Sequence, residues 1–133
     1  MIFNKAYRLT GTDLKLRLSR NWEVQEEGNV ISVFDPKNGL GALQFSIYFV
    51  EAAVGINVAN ELRDFLEDKT ADAEITSFDN YAYSQFYDEE ETFWRYWIFR
   101  EGNHIIFASY NCSSEDAGSE DGSIDKIMKS VLG

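Results

Sequence analysis

Twelve of the chain's 20 aromatic residues (10 Phe, 7 Tyr and 3 Trp in all) fall between Phe78 and Tyr110, at the two-residue period of β-strands. Three runs, Tyr81 to Tyr87, Phe93 to Phe99 and Ile105 to Tyr110, are joined by Asp88-Glu89-Glu90-Glu91 and Glu101-Gly102-Asn103-His104. These polar joints have the composition of tight turns. Strand, turn and strand in unbroken order make an antiparallel meander, because a parallel crossover needs a dozen or more residues between strands.

With two-residue loops at both joints, the sheet faces follow from alternation. One face then holds Ala82, Ser84, Phe86, Phe93, Arg95, Trp97, Phe99, Ile106, Ala108, Tyr110 and Cys112. The other holds Tyr81, Tyr83, Gln85, Tyr87, Trp94, Tyr96, Ile98, Arg100, Ile105, Phe107 and Ser109. Arg95 lies between Phe93 and Trp97, so it is expected to be buried and paired with a carboxylate; a lone guanidinium there would cost several kcal/mol. Tyrosine has an apolar body and a polar tip. Tyr81, Tyr83, Tyr87, Trp94 and Tyr96 are therefore the candidate binding surface, with the alternative that they are simply core.

The rest of the chain surrounds this meander with shorter elements. Phe3 to Leu9 and Leu14 to Leu18 read as a strand pair turning at Gly11-Thr12, and Trp22 to Gln25 and Val30 to Phe34 as a second. Asp35-Pro36-Lys37-Asn38-Gly39 is a turn, since Pro presets φ and Asn-Gly accepts positive φ. Leu43 to Val50 is a strand with apolar residues on both faces. Asn57 caps a helix in which Val58, Leu62, Phe65 and Leu66 share a side. Ile124, Ile127, Met128, Val131 and Leu132 form the stripe of a terminal helix capped by Ser123 or Asp121. Glu115 to Gly122, acidic and with two glycines, is loop or frayed helix. The 133 residues make one α+β domain, 1–133: an antiparallel sheet of about six to seven strands with two main helices packed on it.

Composition narrows the partners. The formal net charge is −11, from 23 acids against 12 bases, which repels nucleic acid and anionic membrane. Five bases (Lys5, Arg8, Lys15, Arg17 and Arg20) stand in the first twenty residues against one acid, Asp13. They read as the solvent face of a strand pair that pairs with the acidic body, with a dedicated anion site as the alternative. A single cysteine excludes an internal disulfide. The N-terminus shows no secretory apolar run and no segment suits a membrane span, so a cytoplasmic protein is expected.

Catalytic and metal chemistry find little support. His104 and Cys112, one of each in the chain, sit eight residues apart on one strand. At about 3.3 Å per residue they are about 26 Å apart, too far for a dyad. Zinc has almost no ligands to draw on, and the acids of Glu115 to Asp125 lack the order of a calcium loop. Gly39-Leu40-Gly41 lacks the third glycine and following helix of a phosphate-binding turn. No Gly-x-Ser-x-Gly elbow is present. No cofactor, metal or catalytic residue is expected.

The element order, with Ser19-Arg20-Asn21-Trp22, the turn at Asp35-Pro36, Trp94 to Phe99 and Phe107-Ala108-Ser109-Tyr110-Asn111, resembles the PsbP-like α+β fold. The resemblance is to its small uncharacterised bacterial branch and the DcrB-like proteins in particular. It implies helices on both sides of the sheet. It also implies a non-catalytic role, as in a photosystem accessory subunit, a Ran-binding nuclear transport factor and adaptor chaperones for secreted effectors. These proteins share no common site, so no residue role carries over. The expectation is a non-catalytic protein-interaction module, of adaptor or immunity type, with another protein as partner. The alternative is a carrier for a small apolar ligand held between sheet and helix.

Overall fold

Alternation in strands and a 3.6-residue stripe in helices set the architecture. The computed structural model describes residues 5–37, 39–70 and 73–132. Nine strands occur among the described residues: β1 (Lys5–Arg8), β2 (Lys15–Leu18), β3 (Glu23–Glu27), β4 (Val30–Phe34), β5 (Ala42–Phe49), β6 (Thr76–Ser77), β7 (Tyr81–Tyr87), β8 (Thr92–Glu101) and β9 (His104–Ser113). The same residues include two helices, α1 (Val58–Glu67) and α2 (Asp121–Leu132), and two short 3-10 turns. β1 and β2 form a separate hairpin, and the remaining strands form one sheet in the order β3-β4-β5-β9-β8-β7-β6. Every pairing is antiparallel. Among the described residues no helix is long and apolar enough to cross a membrane.

One helix covers each face of the sheet. On the first face, α2 buries Ile124, Ile127, Met128 and Val131 with Phe45, Trp97, Phe99 and Ile106, and Leu16 and Leu18 of β2 join the same core. On the second face, α1 buries Leu62 and Leu66 against Ala82, Tyr96, Ile98 and Ile105. Asn57 caps α1 as expected, its side chain accepting from the Asn60 amide at 3.0 Å. α2 starts earlier than its stripe suggested: Asp121 already lies inside the helix, so neither it nor Ser123 is the cap. Phe3 and Asn38, parts of the expected first strand and turn, lie outside the described residues.

The β7 faces are reversed from expectation, and the cause is one turn. Gly102-Asn103 is a two-residue loop with positive φ at Gly102 alone, as in a type II′ turn, and β8 and β9 align as expected. The Asp88 to Glu91 joint is different. The Asp88 amide donates to the Thr92 carbonyl, the Glu91 amide donates to the Asp88 carbonyl, and Glu91 has φ 62°. This is a three-residue loop with a left-handed third residue, a position glycine usually fills. One extra residue shifts the register, pairing Tyr83 with Trp97 and Phe86 with Trp94. Tyr81, Tyr83 and Tyr87 therefore face α2, whereas Ala82, Ser84 and Phe86 face α1.

The N-terminal hairpin also departs from its expected docking. Among the described residues no carboxylate lies within ion-pairing distance of Lys5, Arg8, Lys15, Arg17 or Arg20. The Tyr7 and Thr10 hydroxyls donate to Glu26, the Lys5 ammonium donates to the Trp22 carbonyl, and the Arg17 amide donates to Ser130 Oγ on α2. Apolar burial of Leu9, Leu16 and Leu18 does the rest. Arg8, Lys15, Arg17 and Arg20 remain exposed.

Candidate functional site: an aromatic groove beside α1

The five candidate residues do not make one surface. Tyr81, Tyr83 and Tyr87 belong to the α2 face, and Trp94 and Tyr96 to the α1 face. Tyr96 is 6% exposed and Tyr87 58%, so the set spans core and open surface. Each face nevertheless has a hollow near its share of these residues.

The α2-face hollow is already committed to structure. It measures about 400 Å³ and includes Tyr81, Tyr83, Trp97 and Asp125. At its edge stands Arg95, 8% exposed, with Nη2 donating to Asp125 Oδ1 at 2.7 Å and Nη1 to Asp121 Oδ1 at 3.3 Å. Its Nε donates to the Tyr83 hydroxyl at 2.6 Å, and its guanidinium lies 4.7 Å from the Trp97 ring centre. The expectation of a buried, paired arginine is met. Its nitrogens are all taken by α2 carboxylates and the Tyr83 hydroxyl, and its plane lies over Trp97, so none is left for a ligand.

The α1 face offers the better candidate. α1 packs on β7 and β8, and the strands beyond carry a more polar surface. Register places Tyr96, Ser109, Gln44, Ser32 and Gln25 in one row across β8, β9, β5, β4 and β3. Where α1 ends and this polar row begins lies a groove of about 500 Å³ lined by Gln44, Ser46, Tyr48, Phe65, Lys69, Trp94, Tyr96, Phe107 and Ser109. A smaller hollow of about 310 Å³ continues it past Lys69, Trp94 and Tyr96 to Phe86 and Asp88.

Its walls are ordered by aromatic contacts. Trp94 and Tyr96 lie nearly parallel with centres 5.5 Å apart, and Phe86 lies 5.9 Å beyond Tyr96. Phe65 of α1 meets Tyr96 and Phe107 edge-on, each at 5.3 Å, and Tyr48 meets Phe107 at 5.8 Å. Tyr48 and Phe65 are 47% and 38% exposed, so apolar rings face solvent at the mouth. Burial, with the Asp88 charge, raises the Tyr96 hydroxyl to about 12 and keeps it neutral. Asp88 is held below the usual carboxylate range by the Thr92 amide and then by Trp94 Nε1, which donates to it at 2.9 Å. The groove thus pairs aromatic faces with neutral hydrogen-bonding groups, one fixed anion and the Lys69 ammonium.

Trp94, Tyr96, Phe107 and Ser109 were on the same face in the sequence reading. Tyr48, Phe65, Lys69, Gln44 and Ser46 were missed. A signal existed for β5: Leu43, Phe45 and Ile47 alternate with Gln44, Ser46 and Tyr48, so a half-polar face was legible there. Nothing local told that β5 pairs with β9. His104 and Cys112 stand at opposite ends of β9, away from this groove, and Cys112 is buried on the α2 face.

No protein-family model matches the chain, and no curated protein matches it. Solved structures do. A solution structure of cyanobacterial PsbP (CyanoP) from Synechocystis sp. PCC 6803 superposes with a TM-score of 0.68 at 12% identity, covering 95% of this chain and 89% of that one. A crystal structure from Bacteroides thetaiotaomicron VPI-5482 superposes with a TM-score of 0.58 at 16% identity; it covers 86% of this chain, which spans 42% of that protein. At such identities the likeness speaks for architecture alone, and the chain has the PsbP-like α+β fold.

Proposed function

We propose that this chain is a non-catalytic protein-interaction module, of adaptor or immunity type, that receives its partner on the aromatic groove beside α1. The observation that carries the reading is the groove itself: exposed Tyr48 and Phe65 beside Trp94 and Tyr96, bordered by Gln44, Ser46 and Ser109. Interfaces favour aromatic anchors within a polar rim. The wide separation of His104 and Cys112 along β9 favours binding over nucleophilic catalysis. A place in the small bacterial, DcrB-like branch and a cytoplasmic setting fit the same reading, given the sequence marks and the free cysteine.

A second reading is a carrier for a small apolar ligand, favoured by the position of the groove between sheet and helix. Its open mouth favours the protein partner, because a small-ligand site encloses most of its cargo. Native mass spectrometry of the protein isolated from its host separates them. A bound protein, lost on Phe65→Ser in a variant of unchanged circular dichroism, supports the interaction module. A bound small molecule lost in the same variant supports the carrier. Adducts indifferent to Phe65 overturn both.

A further inference from the structure

Resting on that reading, we infer that the groove takes a basic, extended segment of its partner, with one cationic side chain seated at the Phe86–Trp94–Tyr96 end against Asp88. Charge complementarity gives the chemistry. Asp88 closes that end, and its carboxylate receives Trp94 Nε1 and the Glu90 and Thr92 amides, which fix it in place as an anion. Three more acids, Glu89, Glu90 and Glu91, follow it in the turn. At the far side of the same face, register puts Glu23 opposite Phe34 and Glu27 opposite Val30 on the edge strand β3. Glu61 of α1 and Asp68 at its C-cap flank Phe65 at i−4 and i+3. The bases Lys5 to Arg20 lie on the hairpin that packs against the other face.

The groove already shows how its rings receive a cation. The Lys69 ammonium, the one base among the groove-lining residues, sits 4.6 Å above the Phe65 ring. Trp94 and Phe86, both part-exposed, offer ring faces beside a carboxylate, and a guanidinium over such a face is attracted by the ring's quadrupole. The span from β7 to β5 crosses three inter-strand gaps, about 14 Å, which fits about four residues of extended chain. Hydroxyl and amide groups of Ser109, Gln44 and Ser46 along the floor suit a peptide backbone.

The test uses three labelled decapeptides that alternate leucine with arginine, glutamine or glutamate. Fluorescence anisotropy with the full chain is read at low and high salt. The arginine peptide is expected to bind, the glutamine peptide about tenfold more weakly, and the glutamate peptide more weakly still. Salt should weaken the arginine peptide most. Asp88→Asn should cost about tenfold for the arginine peptide alone. Since that change touches the turn, Glu23→Gln/Glu27→Gln on the exposed edge provides a second variant, expected to reduce the salt dependence. Equal binding of all three peptides, abolished by Phe65→Ser, overturns the charge inference and leaves the interaction module standing. Absence of binding by every peptide, with a host partner still lost on Phe65→Ser, does the same. Self-association abolished by Lys15→Glu/Arg17→Glu identifies a second copy as the occupant and overturns the proposal. A host partner retained by Phe65→Ser defeats the underlying reading instead.

Discussion

Arg95→Ala and Arg95→Met together separate what the Arg95 cluster does by packing from what it does by charge. The guanidinium is buried, but its carboxylates are not: the Asp121 and Asp125 side chains are 43% and 61% exposed. Removing the arginine therefore leaves two anions that water can reach. The loss of about 3–5 kcal/mol expected when one member of a fully buried pair is removed does not apply in full. What alanine loses is the stem packed on Trp97 and Tyr83, about 0.5–2 kcal/mol of cation–π contact, and the bond to the Tyr83 hydroxyl, about 1 kcal/mol. Arg95→Ala should cost about 2–4 kcal/mol. Methionine restores most of the volume, and the exposed carboxylates rehydrate, so Arg95→Met should cost about 1 kcal/mol or less. Urea unfolding followed by tryptophan fluorescence measures both, since Trp97 lies under the guanidinium. If methionine costs as much as alanine, the ion pairs stabilise α2 directly and the packing argument is wrong.

Three further outcomes are expected. Gly41 donates its amide to Glu120 Oε1 at 3.0 Å, and a methyl group there would run into the Asn111 carbonyl and the Tyr110 ring, so Gly41→Ala should lose about 1–3 kcal/mol by urea midpoint. Glu91→Gly should stabilise by about 0.5–1 kcal/mol, because glycine removes left-handed strain of about 1–2 kcal/mol at the cost of greater unfolded-state freedom; a loss of stability would deny the three-residue loop. Tyr96 has its hydroxyl raised from 10.0 to about 12, so its contribution is complete below pH 10 and fades as pH rises toward 12. Tyr96→Phe should show a shallower loss of thermal stability across that alkaline window.

Legibility in the sequence followed the range of each interaction. The terminal helix was readable because Ile124, Ile127, Met128 and Val131 declare one side within a single element. Arg95 was readable because its strand neighbours fix its surroundings. The face of β7 was not, because it depended on a backbone conformation at Glu91 that glycine would have advertised and glutamate conceals. The groove was only partly readable. Its two walls come from β8 and β9 in one segment and from β5 and α1 in another, and their meeting rests on the β5–β9 ladder, which sets Gln44 beside Ser109 and Ser46 beside Phe107. The slip at Glu91 is also why the binding surface read from strand alternation mixed residues from opposite sides.

The place of β9 between β5 and β8 has a consequence for how the chain is made. Of the strands described, β9 leaves the ribosome last, and it alone joins the β3-β4-β5 portion to the β8-β7-β6 portion. Until it arrives, the nascent chain holds two unfinished sheets, each with a long strand offering unpaired amides and carbonyls. Closing them requires bringing together segments far apart in sequence, a slow step in folding. A product that stops short of His104 should therefore be no smaller version of this domain but a sticky intermediate, and any nonsense mutation upstream of β9 a source of aggregate rather than of a weakened protein.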